Sequence, residues 1–127
     1  MDEFVVREHR SGDMPRILEI AVASWEPIYS SRRESMGAEL FDRVFPHWQA
    51  EKRANVRGVC DGASGGKTLV AEMGGTIVGF ITFRADRVSG VGEITMNAVH
   101  PDSQGNGVST MMCERAFEES ERWACAL

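Results

Sequence analysis

Residues 98–112 constrain the fold more than any other stretch. Ala98-Val99-His100-Pro101-Asp102-Ser103 runs into Gln104-Gly105-Asn106-Gly107-Val108-Ser109, so an apolar strand passes through a proline turn and a glycine-punctuated loop straight into a helix. Glycines let a backbone approach a ligand with no side chain in between. The first N–H groups of a helix lack internal acceptors and sit at the positive end of its dipole. Strand, glycine loop and helix start in this order build an anion site, and a phosphate suits it best. No Lys or Arg occurs between residues 88 and 114. Binding there would rest on amides and the dipole, without local ion pairs.

The rest of the chain reads as elements that could hold such a site. Residues 4–8 form a short strand. Asp13 looks like an N-cap with Pro15 in the first turn, and Met14, Ile17, Leu18, Ala21 and Trp25 recur at helical spacing. This predicts a helix over 13–25, ended by Pro27. The polar run 30–35 reads as a loop. Leu40, Phe41, Val44 and Phe45 suggest a short helix stopped by Pro46, and a further helix follows over about 46–58 with Trp48 facing inward. After a loop at 61–66, residues 68–72 and 76–83 read as strands joined at Gly74-Gly75, a tight hairpin signal. The second is apolar on both faces and hence central. A turn at 88–92 leads to a strand over 93–99. Residues 107–124 form a helix with Val108, Met112, Cys113, Ala116 and Trp123 on its apolar side. Glu114, Glu118 and Glu121 lie on its polar side, and Glu118 to Arg122 is a favourable pair. Consecutive strands joined by tight turns make an antiparallel meander with helices packed on both faces, an α+β sheet in a single domain over 1–127.

Composition narrows the partners. A net charge of −5 with no Lys/Arg-rich run argues against nucleic acid or an anionic membrane surface. No apolar run approaches the ~20 residues of a membrane span, and the acidic N-terminus lacks a signal-peptide pattern. Cys60, Cys113 and Cys125 are an odd set without paired spacing, which suggests a reducing, cytoplasmic setting. His9, His47 and His100 show no ligand spacing with them, so no metal site is expected. Gly66-Lys67-Thr68 mimics the end of a P-loop, but position 61 is Asp and a strand follows the threonine.

Together these motifs resemble the GNAT superfamily, the GCN5-related N-acetyltransferases. The family's loop pattern, Gln/Arg-x-x-Gly-x-Gly/Ala, is matched by Gln104-Gly105-Asn106-Gly107-Val108-Ser109, with Ser109 at the last position. Val70-Ala71-Glu72 followed by Gly75-Thr76-Ile77-Val78-Gly79-Phe80 is similar to the hairpin that precedes it, and Ala23-Ser24-Trp25 with Tyr29 to a substrate-side segment. The resemblance implies acetyl-CoA as co-substrate, its pyrophosphate held by backbone amides from Gln104, Gly105, Asn106, Gly107, Val108, Ser109 and Thr110. It implies a bulge at Asn97, Ala98 and Val99 whose freed backbone pairs with pantetheine, where plain strand pairing is the alternative. Glu93 occupies the position of the general base in histone acetyltransferases of the superfamily; the alternative is a solvated strand residue. Strand alternation would put Glu93, Thr95 and Asn97 on one face. Trp25, Glu26 and Tyr29 would line the acceptor pocket; otherwise Trp25 closes the first helix onto the sheet and Tyr29 anchors at the surface. The tyrosine acid that family members often use has no counterpart, since Tyr29 is the only tyrosine.

Family members continue past this point into a fifth strand, a helix and closing strands, and the chain is expected to lack them. Two functions follow. One is an N-acetyltransferase acting on a primary amine of a small molecule or a peptide N-terminus. The other is a truncated, non-catalytic module that binds CoA weakly or only dimerises. Both imply a homodimer, because an open fourth-strand edge and an apolar last helix need cover.

Overall fold

In the computed structural model, which describes residues 4–60, 66–85, 88 and 92–126 (without the side chains of 85 and 121–126), four antiparallel strands form one sheet. β1 (Phe4–Glu8), β2 (Lys67–Met73), β3 (Thr76–Ala85) and β4 (Gly92–Val99) lie side by side in chain order. Between β1 and β2 run three helices, α1 (Met14–Met36), α2 (Ala38–Val44) and α3 (Trp48–Cys60). After β4 comes α4 (Val108–Ala126). This is the expected α+β meander. Gly74 and Gly75 both adopt positive φ, 59° and 82°, the backbone a two-residue hairpin turn requires.

Helices cover both faces. Ile17, Ile20 and Ala21 of α1 and Val56 of α3 pack against Val70, Ile77, Phe80 and Ala98 on one side. Val108, Met112 and Ala116 of α4 pack against Leu69, Ala71, Ile81, Phe83 and Val99 on the other. Phe80 and Phe83 are three residues apart in one strand, an odd separation, so they point to opposite faces and each anchors one core layer with no exposed surface. Gly79 faces α4, where an added Cβ would stand 3.1 Å from the Met112 Cε. Glycine therefore sets how closely α4 approaches the sheet.

The first helix departs from expectation. Pro27 lies inside α1, which continues to Met36 through the segment read as a loop. Proline removes one helical N–H bond and crowds the preceding turn, but tertiary contacts hold the second half in place. Tyr29 meets Phe41 and Phe45 of the following segment edge-on and stacks on Trp48. Gly37, at φ 86°, ends the helix with its N–H on the Arg33 carbonyl. Glu118 and Arg122 cannot be compared, since the Arg122 side chain, like those of Glu121 and Trp123, is outside the described residues. Arg115 and Glu119 make an ion pair of the same spacing at 3.1 Å. The loop at 61–65, most of the turn at 88–92 and the side chain of Cys125 also fall outside what is described.

Two irregularities shape the sheet. Ala71 faces Gly79 while Glu72 faces Ile77, which leaves Val78 as an extra residue in β3. Thr82 faces Met96 while Phe83 faces Ile94, which leaves Thr95 as an extra residue in β4. A three-part clamp ties β1 to the start of α1 and to β2: the Arg7 guanidinium bonds both Asp13 oxygens at 2.8 and 3.0 Å and Glu72 at 2.7 Å. No helix among the described residues is long and apolar enough to cross a membrane.

Candidate active site

The expected loop forms a concave site between the end of β4 and the start of α4. Val99, Ser103, Gln104, Gly105, Gly107, Val108, Ser109 and Thr110 line a cavity of about 280 Å³. Gly105 and Gly107 adopt φ of 86° and 78°, a left-handed backbone that glycine reaches without steric cost. An added Cβ at either would meet nothing within 4 Å. The loop is braced from below. His100 N–H donates to the Val78 carbonyl at 2.8 Å, the Gln104 side chain donates to the Val99 carbonyl, and Asn106 donates to the Ser103 carbonyl. The His100 Nδ1 accepts the Asp102 N–H.

The first bond of α4 runs from Met111 N–H to the Gly107 carbonyl. The amides of Gly107, Val108, Ser109 and Thr110 make no such bond among the described residues. They are the orphan donors that a helix N-terminus turns toward an anion. The side chain of Asn97 reaches across from β4 and donates to Ser109 Oγ at 2.9 Å and to Cys113 Sγ at 3.2 Å. This contact fixes the loop-to-helix junction against the strand. Cys113 was legible from sequence only as an apolar helix residue; its place under Asn97 depends on how α4 crosses β4.

β4 is an edge strand in the four-stranded sheet. The bulge expected at Asn97, Ala98 and Val99 sits earlier. Those three residues pair regularly with Ile81, Phe80 and Gly79, and the shift falls at Thr95. An extra residue flips the face of everything before it. Ile94 accordingly packs under α4 and Met96 against the α1 layer. Glu93 and Thr95 thus lie on the α1 face, while Asn97 lies on the α4 face, and the expected shared face is corrected. Thr95 bonds Thr82 through their hydroxyls at 2.6 Å. Glu93, with a side chain 57% exposed, pairs with Arg84 at 2.8 Å.

On that same α1 face lie the expected acceptor residues. Trp25 is half-buried and packs against the layer containing Phe80 and Ala98, and the Lys52 ammonium lies 4.3 Å from its ring centre. Tyr29 stacks on Trp48 at 4.3 Å between centres and 6° between planes. Glu26 is exposed. Burial, and secondarily the charge of Arg32, hold the Lys52 ammonium below the usual lysine range. Sequence reading did not single out Lys52, Arg32 or the role of Trp48. The four-residue spacings Trp25/Tyr29 and Trp48/Lys52 were the available signal. No group of His, Cys, Asp and Glu among the described residues is arranged to hold a metal.

The chain is thus a meander flanked on both faces, with a glycine loop feeding a helix from an edge strand. Residues 16–127 match the model of the acetyltransferase (GNAT) family, and the chain belongs to that family. No curated protein matches it. Among solved structures, the PaiA N-acetyltransferase of Thermoplasma acidophilum in complex with coenzyme A is similar with a TM-score of 0.67 at 15% identity, over 94% of this chain and 73% of that one. A GNAT family acetyltransferase from Brucella melitensis in complex with acetyl-CoA is similar with a TM-score of 0.58 at 20% identity, over 93% and 68%. A GCN5-related N-acetyltransferase from Rhodopseudomonas palustris has a TM-score of 0.58 at 24% identity, over 91% and 64%.

Proposed function

We propose that the chain is a cytoplasmic N-acetyltransferase that moves an acetyl group from acetyl-CoA to a primary amine of a small molecule or a peptide N-terminus. The observation that carries this reading is the set of unclaimed amides at Gly107, Val108, Ser109 and Thr110 around the cavity at the end of β4. Those amides, with Gln104, Gly105 and Asn106, hold the pyrophosphate. The edge backbone at Asn97, Ala98 and Val99 receives the pantetheine arm as an added strand would pair. Acetyl-CoA supplies an activated thioester. The amine attacks its carbonyl carbon, the C–S bond breaks, and the proton the nitrogen sheds passes to the departing sulfur, so that CoA leaves as the thiol. Holding both reactants in register supplies most of the acceleration.

Glu93 is the proposed base, since the acceptor ammonium must lose a proton before it attacks. Its exposure and its pair with Arg84 leave room for water to share that task. Glu93→Gln is therefore expected to lower kcat by about a hundredfold, at the weak end of general-base effects, with acetyl-CoA affinity unchanged. An unaltered rate removes Glu93 from the mechanism.

The same pair with Arg84 favours a second reading, a non-catalytic module that binds CoA or only dimerises. Either reading includes a homodimer: β4 presents an open edge, and Met111 and Phe117 of α4 are 42% and 57% exposed. Calorimetric titration with acetyl-CoA, with light scattering in the same buffer, tests both points. Saturable binding by a dimer is expected. Absence of binding overturns the transferase, and a monomer at high concentration overturns the dimer.

A further inference from the structure

The interface of α1 and α3 carries a ladder of aromatic and cationic side chains. The two helices run antiparallel there, because Trp25 meets Lys52 while Tyr29 meets Trp48. Arg32 continues the ladder, its guanidinium carbon 5.0 Å from the Tyr29 ring centre and 5.6 Å from that of Phe45. Cation–π contacts of this kind hold a charged head in place without satisfying its charge.

Neither head has an acidic partner among the described residues. Arg16, Arg33, Arg43, Arg84 and Arg115 each pair with a carboxylate at 2.7 to 3.3 Å; Arg53 and Arg57 of α3 show no such pair among the described residues, but Arg32 and Lys52 differ from them in being held against aromatic rings. Carboxylates are plentiful, since the chain has 19 Asp and Glu against 14 Lys and Arg. Glu34 and Glu51, the acids nearest Arg32 and Lys52 along the two helices, are exposed and pair with neither cation. Lys52 is partly desolvated and feels the charge of Arg32, an unfavourable arrangement that an anion at the ladder would relieve.

The ladder also lies on the side proposed to receive the acceptor. Trp25 packs into the layer that contains Ala98 of β4, and residues 25 to 32 of a helix span roughly 10 Å at about 1.5 Å per residue. We infer that the acceptor carries an anionic group besides its amine, and that Arg32 and Lys52 receive that group over the rings of Trp25 and Tyr29. The guanidinium offers a planar donor fork and the ammonium a point charge, a combination suited to a carboxylate or a phosphate. This rests on the acetyl-transfer reading.

Two matched pairs of amines test it and separate the two anions: β-alanine against β-alaninamide, and 2-aminoethyl phosphate against ethanolamine. The anionic member of at least one pair is expected to show a kcat/KM about tenfold to a hundredfold higher, in keeping with charge-assisted hydrogen bonds. Arg32→Gln with Lys52→Gln is expected to abolish the ratio, with folding checked by circular dichroism. Equal rates within both pairs overturn the anion site and leave acetyl transfer standing.

A second measurement needs no turnover. Lys52 and Lys67 are the only lysines, so Lys67→Arg leaves a single lysine signal for NMR. The anionic amines are expected to raise the Lys52 pKa, because an opposite charge favours the protonated form, and their neutral partners are not. A flat response to both anions overturns the assignment even if no acceptor turns over. A chain that fails to bind acetyl-CoA but still shows the Lys52 response retains the anion site and loses the transferase reading.

Discussion

Gly107→Asp is expected to weaken acetyl-CoA binding by about a hundredfold. Two unit charges about 6 Å apart near a protein surface repel by roughly 3 kcal/mol at an effective dielectric of about 20, and the new carboxylate would stand at the mouth of a cavity built from amides. Nothing lies within 4 Å of the added Cβ, so the substitution does not crowd the protein itself. The left-handed backbone at φ 78° strains most side chains, but Asp and Asn visit it more readily than other residues. Gly107→Asn separates the two effects, since it has nearly the same shape without the charge. It should keep most of the affinity while sharing the loss of stability. Calorimetry with acetyl-CoA on both variants reads the difference, and an Asp variant that binds like the parent overturns the loop as the phosphate site.

Arg7→Gln is expected to cost about 3 kcal/mol of stability, the scale for removing one partner of a partly buried, hydrogen-bonded ion pair. The Arg7 and Asp13 side chains are only 18% and 12% exposed. Asp13 and Glu72 bond the same guanidinium nitrogen, so its loss leaves two carboxylates facing each other. The effect has a pH signature. The Arg7 hydrogen bonds hold Asp13 below the usual carboxylate range. A depressed folded-state pKa contributes stability above the unfolded value of about 3.9, and that contribution disappears as pH falls through the folded value. The parent chain should therefore lose stability on acidification below about pH 4. In Arg7→Gln the contribution at Asp13 shrinks, because only the Arg10 N–H at 2.7 Å and the Arg10 charge still favour the carboxylate while Glu72 now opposes it. Urea midpoints across the acid range for parent and variant check both the size and the pH dependence.

Several elements were legible because their signals are local. The hairpin at Gly74-Gly75 needs two residues at positive φ, and adjacent glycines announce it. The inward face of α4 followed from helical spacing at Val108, Met112 and Ala116, all buried. The loop at 104–110 was readable for the same reason, as glycine positions and a helix start are properties of neighbouring residues. The end of α1 was not. Pro27 argues locally for a stop, and only the stacking of Tyr29 on Trp48, residues that belong to different helices, holds the helix through it. The extra residue at Thr95 was equally hidden. Nothing in the residues 93–97 distinguishes regular pairing from a bulge, because the choice depends on how Phe83 and Thr82 of β3 fill the two core layers.

The sequence by itself determined the family of fold, the order of its strands and helices, and the loop that offers amides to an anion, because each depends on periodicity, glycine conformation or helix ends within a few residues. Tertiary structure alone decided that Glu93 and Asn97 lie on opposite faces, that Asn97 braces Ser109 and Cys113, and that Lys52 and Arg32 stand over Trp25 and Tyr29. Those placements depend on strand register and helix crossing, in which residues far apart in the chain compete for the same two faces of one sheet.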